Sequence, residues 1–428
     1  MGTNDCLPAV DALLQDARFS VTGSSYALST EQRELIEQAE ELGASKFAPR
    51  AAQIDQEAAF PFENYADLQT SGFLGLCIPK ALGGLGADLQ TYGIVSATLG
   101  KYCGATALTF NMHACSSLWT GLLSEPLDMT TDQRAAHKRS QAIHVGRILN
   151  GSIYAQPFSE GSAAAAGKAP FGTLAKKVDG GWLINGKKIF ASLADGADFF
   201  GILASEERDD VQTSMRDTLY IAVPRTAPGL TIVGDWDPLG MRGTTSRTLI
   251  FTDVFVGDDE QMMPRGLYFQ AAQRWPHMFT TLSPTYMGIG IAAYEFTVRY
   301  LRGEIEGMGP PVKRRQFATK QLSVAQMHIM LEQTRSLFLR MLADARIDPS
   351  KDARLRAYAS QYTVMENAQD LSRTAIRTCG GQSMLKSLPL ERLYRDSRCG
   401  SLMLPWTAEL CLDRLGREAL YESGERDE

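Results

Sequence analysis

Apolar positions recur at helical spacing through the first third of the chain. Ser29 followed three residues later by Gln32 resembles an N-terminal capping box, and apolar residues at near-helical intervals follow it. The helical pattern continues to about residue 148, with a turn at the glycines of 83–86. We therefore predict an N-terminal extension over residues 1–28 and an all-helical first domain over residues 29–148.

Near residue 150 the pattern changes to short segments that are rich in β-branched and aromatic residues and are separated by turn signals. Asp179-Gly180-Gly181 between two of them is typical of a hairpin turn. Beyond about residue 266 the spacing is helical again. This order predicts an α+β fold with a middle β-sheet or barrel domain over 149–262 and a C-terminal helical domain over 263–428. The predicted strands are 152–158, 172–178, 182–185, 188–192, 199–204, 219–223, 230–233 and 248–256, and the predicted long helices are 286–301, 318–345 and 353–379.

The composition of the 428 residues is that of an ordinary soluble globular protein, with 44% hydrophobic and 21% charged residues. Lys and Arg total 43 against 49 Asp and Glu, so no basic footprint for nucleic acid is present. No apolar run approaches the roughly 20 residues needed to cross a bilayer. The seven scattered cysteines form no CxxC pair, so we predict neither a disulfide framework nor a metal site. The N-terminus lacks the pattern of a secretory signal, which predicts a cytoplasmic protein.

Five segments carry a family resemblance. They are FSEGS at 158–162, WLINGKKIFAS at 182–192, LGMRGT at 239–244, CGG at 379–381 and LPLERLYRD at 388–396. In this order and spacing they resemble the acyl-CoA dehydrogenase superfamily, over about residues 29–424. The resemblance implies a C-terminal four-helix bundle and a flavin enzyme, usually a homodimer or homotetramer, with FAD held between the sheet domain and the C-terminal helices of two subunits.

Phe190 and Ser192 are the first candidate flavin contacts. They stand two apart on a predicted strand, so they are expected to face the same side of the sheet. A flavin needs a flat apolar surface beside its ring system and a donor near N5, which accepts the hydride. The alternative is that an alternating strand often places an aromatic residue near a serine without any ligand.

The resemblance implies further cofactor contacts. Ser159 matches a hydroxyl residue beside the pyrimidine edge of the flavin, and Gly380-Gly381 allow the close approach of FAD from a neighbouring subunit. Arg377 is placed to meet the pyrophosphate, although it also suits the last turn of a helix before a glycine cap. The other implied contacts are Gln156, Phe158, Ala191, Gln321, Trp406 and Thr407.

Two segments depart from the family pattern. The loop after Glu160 that usually meets the thioester is replaced by Gly161-Ser162 and four alanines, and we predict Ser162 as a substrate contact. The basic segment KRRQF at 313–317 stands where a family arginine reaches the pyrophosphate. It is either that contact or a solvated basic loop.

The third departure concerns the base. Dehydrogenation between Cα and Cβ of a thioester removes the α-proton with a carboxylate while the β-hydride passes to the flavin. Counting from the motifs places the usual base at Leu404 or Pro405, which we predict instead as substrate contacts, and the position used by a minority of relatives at Met278. His277 is then the candidate base. A packing histidine is the alternative, since one residue along a helix rotates the side chain by about 100°.

We therefore expect an FAD-dependent oxidoreductase acting on an acyl-CoA or an acyl-carrier protein, with an electron-transfer flavoprotein or a flavin reductase as its redox partner. The missing carboxylate keeps a second reaction open, a reduced-flavin monooxygenase on the same fold, which needs no α-proton base. A flavin-binding protein without catalysis is the third possibility.

Overall fold

Helices form both ends of the chain and one sheet forms its middle. The computed structural model describes residues 28–165, 167–209, 211–305, 314–403, 407–422 and 425, and most of the predicted extension therefore lies outside the described residues. The helices of the first part are α1 (Thr30–Leu42), α2 (Ala48–Glu57), α3 (Phe62–Thr70), α4 (Leu89–Tyr102), α5 (Gly104–Thr120) and α6 (Thr131–Leu149).

The predicted start of the first helix is confirmed. Ser29 and Gln32 form a reciprocal capping box, in which the Ser29 hydroxyl accepts from the Gln32 N–H. A π-helical segment, Gly43–Phe47, joins α1 to α2. At Gly43 the chain passes so close to the Tyr102 ring that a Cβ would overlap it, so α1 lies directly against α4.

The middle strands form one mixed sheet in the order β6-β7-β3-β2-β4-β5-β8, with β1 pairing parallel to β4. The predicted hairpin is confirmed, because β2 and β3 pair antiparallel on either side of Asp179-Gly180, and Gly180 has a φ of 74°. The strands are β1 (Tyr154–Ala155), β2 (Leu174–Val178), β3 (Gly181–Ala191), β4 (Phe199–Glu207), β5 (Thr218–Pro224), β6 (Leu230–Val233), β7 (Arg247–Gly257) and β8 (Gln261–Met263).

Three strand predictions need correction. The strand predicted over 152–158 is reduced to the two residues of β1, because the following residues form the wall of a cavity. The segments predicted as 182–185 and 188–192 are parts of one strand, β3, which ends one residue before Ser192, and β8 was not predicted. The pairing of β3 with β7 shifts register between Lys188 and Ala191, which matters for the site described below.

The C-terminal part is helical, as predicted. Its longest helix, α10, contacts four others, α8, α9, α11 and α12. Within the described ranges no helix is both long enough and apolar enough to cross a membrane. These helices are α7 (Leu267–Arg274), α8 (Ser283–Arg302), α9 (Ala318–Asp344), α10 (Lys351–Cys379), α11 (Leu390–Arg398) and α12 (Ala408–Leu420).

Helices α4, α5 and α8 are joined by close packing and buried hydrogen bonds. A Cβ on Gly288 of α8 would overlap the main chain of α4. The Ser96 hydroxyl donates to Asn111 Oδ1 at 2.5 Å, and Asn111 Nδ2 donates to the Thr285 hydroxyl at 2.8 Å. This arrangement fixes α5, which supplies two side chains to the cavity described next.

Candidate functional site

A cavity of about 430 Å³ lies where α5, the end of β3 and the segment after α11 meet. Its volume is within the range of small-molecule sites. Most of its lining is apolar or aromatic. The lining residues are Leu108, Met112, Gln156, Phe158, Ser159, Gly161, Ile189, Phe190, Ser192, Trp236, Pro238, Leu239, Gly240, Met241, Thr244, Ser246, Cys399, Leu402 and Met403.

Phe190 and Ser192 both line this cavity, but not because a regular strand alternates. Phe190 has a φ of 52°, at the point where the pairing of β3 with β7 is irregular, and Ser192 lies beyond the end of β3. The Ser192 N–H donates to the Phe190 carbonyl at 2.9 Å. A left-handed conformation is costly for a bulky residue, so the turn that directs both side chains to the cavity is held by its surroundings.

The Phe190 ring is 64% exposed at the cavity. Among the described residues its aromatic neighbour is Trp236, whose centroid lies 6.3 Å away at an interplanar angle of 76°. A large aromatic face left open beside an apolar cavity provides a surface on which a flat ring can stack. The geometry at Phe190 therefore suits the flavin that the sequence predicts there.

The polar lining groups are hydroxyls and one amide. Ser192 Oγ lies 2.9 Å from Ser246 Oγ, which lies 2.8 Å from Thr244 Oγ1. Gln156 Nε2 donates to the Tyr220 hydroxyl at 2.8 Å, which fixes the orientation of the amide. These contacts hold the polar groups of the lining in defined positions.

Phe158 and Ser159 form another part of the lining. The Phe158 ring stacks on Trp119 with centroids 5.5 Å apart. The Ile189 N–H donates to the Ser159 carbonyl at 2.8 Å, so this wall segment is hydrogen-bonded directly to β3.

The structure does not bring the other predicted cofactor contacts that lie in the described ranges to the cavity lining. Ala191 is fully buried and is not part of the lining. Arg377, Gly380 and Gly381 lie at the C-terminal end of α10, and Gln321 lies in the first turn of α9. The resemblance assigns Gly380-Gly381 to a neighbouring subunit, and their role stays a prediction.

Thr407 and Ser162 have local roles in this chain. Thr407 caps α12, since its hydroxyl accepts from the Leu410 N–H at 3.3 Å. The Ser162 hydroxyl accepts from the Ala164 N–H at 3.3 Å in a turn outside the cavity lining. Leu404, Pro405 and Trp406 lie outside the described residues.

His277 lies outside the cavity lining, and its role as the base stays a prediction. It lies in the short 3₁₀ segment Pro276–Thr280, is fully buried and packs near Trp275. Among the described residues neither of its ring nitrogens has a hydrogen-bond partner, and burial lowers its pKa to about 4. Met278 is also buried away from the lining. The structure agrees with the packing alternative for His277.

The segment from Trp236 to Met241 is a part of the site that sequence reasoning did not assign. Met241 has a φ of 53°, and its N–H donates to Asp396 Oδ1 at 2.5 Å. Trp236 Nε1 donates to the Met241 carbonyl at 3.4 Å. Burial raises the pKa of Asp396 to about 6. The two motifs that contain Met241 and Asp396 were recognised, but their contact is tertiary and leaves no signal in spacing.

The cavity lining carries no charged side chain among the described residues. Of the lining residues that the structure describes, the one with an ionisable group is Cys399, and burial raises the pKa of its thiol to about 12. A site of this kind suits an uncharged, largely apolar group, because a buried charge without a partner is costly.

Three family models match the chain. They are the acyl-CoA dehydrogenase N-terminal domain over residues 29–123, the middle domain over 158–254 and the C-terminal domain over 278–405. Together they cover most of the chain, which belongs to the acyl-CoA dehydrogenase family.

Relatives of the chain differ in the reactions that their names give. The human mitochondrial short-chain specific acyl-CoA dehydrogenase is 27% identical over 379 residues, 87% of this chain and 86% of that protein. The L-evernosamine nitrososynthase of a Micromonospora species is 29% identical over 398 residues, 88% of this chain and 87% of that protein. The structure of KijD3 in complex with FMN and a dTDP-linked keto sugar has a TM-score of 0.77 at 23% identity, covering 94% of this chain and 96% of that one. This structural likeness shows the fold.

Proposed function

We propose that this protein is a flavin-dependent oxidoreductase that oxidises the acyl group of a thioester. The observation that carries the proposal is the apolar cavity that opens directly beside the exposed Phe190 ring and the Ser192 hydroxyl. When bound there, the flavin supplies an acceptor for the hydride at N5.

Each wall of the cavity has a separate task in this proposal. Phe190 supports one face of the flavin ring, and the Ser192 hydroxyl, oriented by Ser246, is the donor near N5. The apolar side chains of Leu108, Met112 and Met241 hold the acyl chain and exclude water.

The finer properties of the enzyme belong to the same proposal. We infer FAD as the coenzyme, held in part by Arg377 and Gly380-Gly381 of a neighbouring subunit in a homodimer or homotetramer. Electrons leave to a second redox protein in the cytoplasm. The KijD3 structure named above contains FMN, which supports a flavin cofactor, while the choice of FAD rests on the resemblance.

Reduced-flavin monooxygenation is the second candidate, and one observation favours it. Among the described lining residues none is a carboxylate or an imidazole, and the base positions counted from the motifs hold Met278 and Leu404 or Pro405. A dehydrogenase needs a group that accepts the α-proton, whereas an oxygenation of this type does not.

The absorbance spectrum of the flavin-loaded protein under anaerobic conditions separates the two reactions. We expect a panel of acyl-CoA thioesters, from butyryl-CoA upward, to bleach the flavin band near its visible maximum. A spectrum unchanged by every thioester, together with O₂-dependent substrate oxidation only when a flavin reductase is added, would instead establish the monooxygenase.

Phe190→Ala should weaken flavin binding with little effect on stability. The ring is already 64% exposed, so its removal costs little core packing, while the aromatic contact to the flavin is lost. We expect the dissociation constant of FMN or FAD to rise about tenfold, which corresponds to ~1.4 kcal/mol. Equilibrium titration of flavin fluorescence measures it.

Phe255→Ala is the matched control, since Phe255 is an exposed phenylalanine of β7 outside the cavity lining, with 52% exposure. It should leave the flavin dissociation constant unchanged. Equal effects of the two substitutions would contradict the placement of the flavin at Phe190.

A further inference from the structure

Two stretches of the cavity wall are tied together by a buried ion pair. Lys188 Nζ lies 2.5 Å from Glu160 Oε1, and the two side chains are 0% and 7% exposed. Lys188 directly precedes Ile189 and Phe190 in β3, and Glu160 stands between Ser159 and Gly161. All four neighbours line the cavity, whereas the ion pair itself lies behind it.

The Glu160 carboxylate is held by the main chain as well as by the lysine. Its Oε2 accepts from the Gly172 N–H at 2.7 Å, and its Oε1 accepts from the Thr173 N–H at 3.0 Å. Both atoms of the carboxylate are therefore occupied, and the orientation of residue 160 is fixed at the point where the wall segment leaves the sheet.

The Lys188 ammonium is equally constrained. It donates to the Leu203 carbonyl of β4 at 2.5 Å and lies 4.5 Å from the centre of the Phe171 ring. Two acceptors and an aromatic face surround it, so the side chain has one defined position. The lysine thus connects β3 both to β4 and to the wall segment.

The charges of the pair depend on each other. Burial lowers the pKa of Lys188 to about 8, against the attraction of Glu160. Burial acts to raise the pKa of Glu160, but Lys188 and the hydrogen bonds from Thr173 and Gly172 hold it below its usual value. A buried pair of this kind adds little net stability compared with a neutral pair of the same shape. The role of the pair therefore lies in the positions it gives to its neighbours rather than in the free energy of unfolding.

We propose that Lys188 and Glu160 are positioning residues, which fix the Ser159–Gly161 wall relative to Phe190 so that both can contact one flavin ring. The inference rests on the proposed flavin site. The hydrogen bond from the Ile189 N–H to the Ser159 carbonyl joins the two stretches at one point. The ion pair adds a second connection, which prevents rotation about the first.

The double variant Glu160→Gln/Lys188→Met tests the inference. It removes both charges while keeping similar side-chain volumes, so we expect it to fold and to melt close to the wild type. Its dissociation constants for FMN and FAD, measured by fluorescence titration, should rise tenfold or more. The single variant Glu160→Gln is measured in parallel. It keeps only one of the two acceptor oxygens and leaves the buried Lys188 ammonium without its carboxylate, so we expect it to be less stable than the double variant and to bind both flavins at least tenfold more weakly than the wild type.

Lys187→Met is the control, since Lys187 is the exposed neighbour of Lys188 on the same strand, and it should bind flavin as the wild type does. A folded double variant that binds both flavins within twofold of the wild type would overturn the inference. If neither charge-removing variant folds, the pair is needed for folding rather than for positioning the cavity wall, and this result would also contradict the inference. A wild type that binds neither flavin would instead refute the proposed function.

Discussion

Between pH 7.5 and pH 5 the free energy of unfolding should fall by about 5 kcal/mol. Burial lowers the pKa values of His113 and His277 to about 4 and that of His144 to about 3, against about 6.5 in the unfolded chain. The folded state therefore binds fewer protons than the unfolded state in this range. The stability that these neutral rings contribute is complete above pH 6.5 and is lost as the pH falls toward the folded-state pKa values.

The size of the histidine contribution follows from the unfolded-state pKa, because the folded-state pKa values lie below pH 5. At pH 5 each of these three histidines costs about 2 kcal/mol, and together they cost about 6 kcal/mol. Burial also lowers the pKa of His137, which acts in the same direction. Asp396 acts in the opposite direction, because its folded pKa of about 6 is raised above the unfolded value of 3.8. The buried ionised carboxylate of Asp396 destabilises the fold at pH 7.5, and this cost is relieved as the pH falls through 6. By pH 5 the relief offsets about 1 kcal/mol of the loss from the histidines. Urea unfolding at the two pH values measures the difference.

His277→Leu isolates one part of this effect and tests the role of the residue as well. Neither nitrogen of His277 has a hydrogen-bond partner among the described residues, so an apolar side chain of similar volume should leave stability at pH 7.5 unchanged or slightly higher. The loss between pH 7.5 and 5 should shrink by about 2 kcal/mol. Turnover should persist, whereas a catalytic base at 277 would make the variant inactive.

His113 provides the comparison, because it has partners at both nitrogens. Its Nδ1 accepts from the Tyr154 N–H at 3.0 Å, and its Nε2 lies 3.0 Å from the Leu74 carbonyl, to which it donates. His113→Gln should lower stability at pH 7.5, since these buried groups lose partners. If His277→Leu proves the more destabilising of the two at pH 7.5, the unpartnered environment assigned to His277 is wrong.

The fold could be predicted where local chemistry decides it. The capping box at Ser29, the Asp179-Gly180 hairpin and the long C-terminal helices depend on neighbours within a few residues, and the structure confirms them. The predicted strand over 152–158 was mostly wrong because its residues serve the cavity, and β8 was missed because three residues give no periodicity.

The candidate site also contains residues that local sequence identifies and contacts that only the tertiary structure shows. Phe190 and Ser192 are close in sequence and sit in a recognisable motif, and both line the cavity, whereas their contact with a flavin stays a prediction. The contact of Met241 with Asp396 joins residues 155 positions apart, and the pairing of Lys188 with Glu160 joins residues 28 positions apart. A single amino-acid sequence carries no signal that pairs residues so far apart. His277 was proposed from its position beside Met278, but the direction of a side chain in a short 3₁₀ segment depends on the bundle around it.

Gly288→Ala should destabilise the protein by about 3 kcal/mol or more, which is at the upper end of the range for overpacking a core. A Cβ at this position of α8 would overlap the Ala97 carbonyl oxygen and would lie 2.6 Å from the Lys101 nitrogen. Both of these atoms belong to the main chain of α4, so no side chain can rotate to make room. The two helices must move apart, and the hydrogen bond between Asn111 and Thr285 that fixes α5 is strained with them.

Gly146→Ala is the matched control, since Gly146 is also a helix-interior glycine, but a methyl group there would meet no atom of the described residues within 4 Å. This substitution in α6 should stabilise the protein by about 0.5–1 kcal/mol through the better helix propensity of alanine. Urea unfolding of both variants at pH 7.5 should therefore give changes of opposite sign. Equal, small effects would mean that α4 and α8 are not in backbone contact, and the positions of Leu108 and Met112 in the cavity would then lack the support assigned to them.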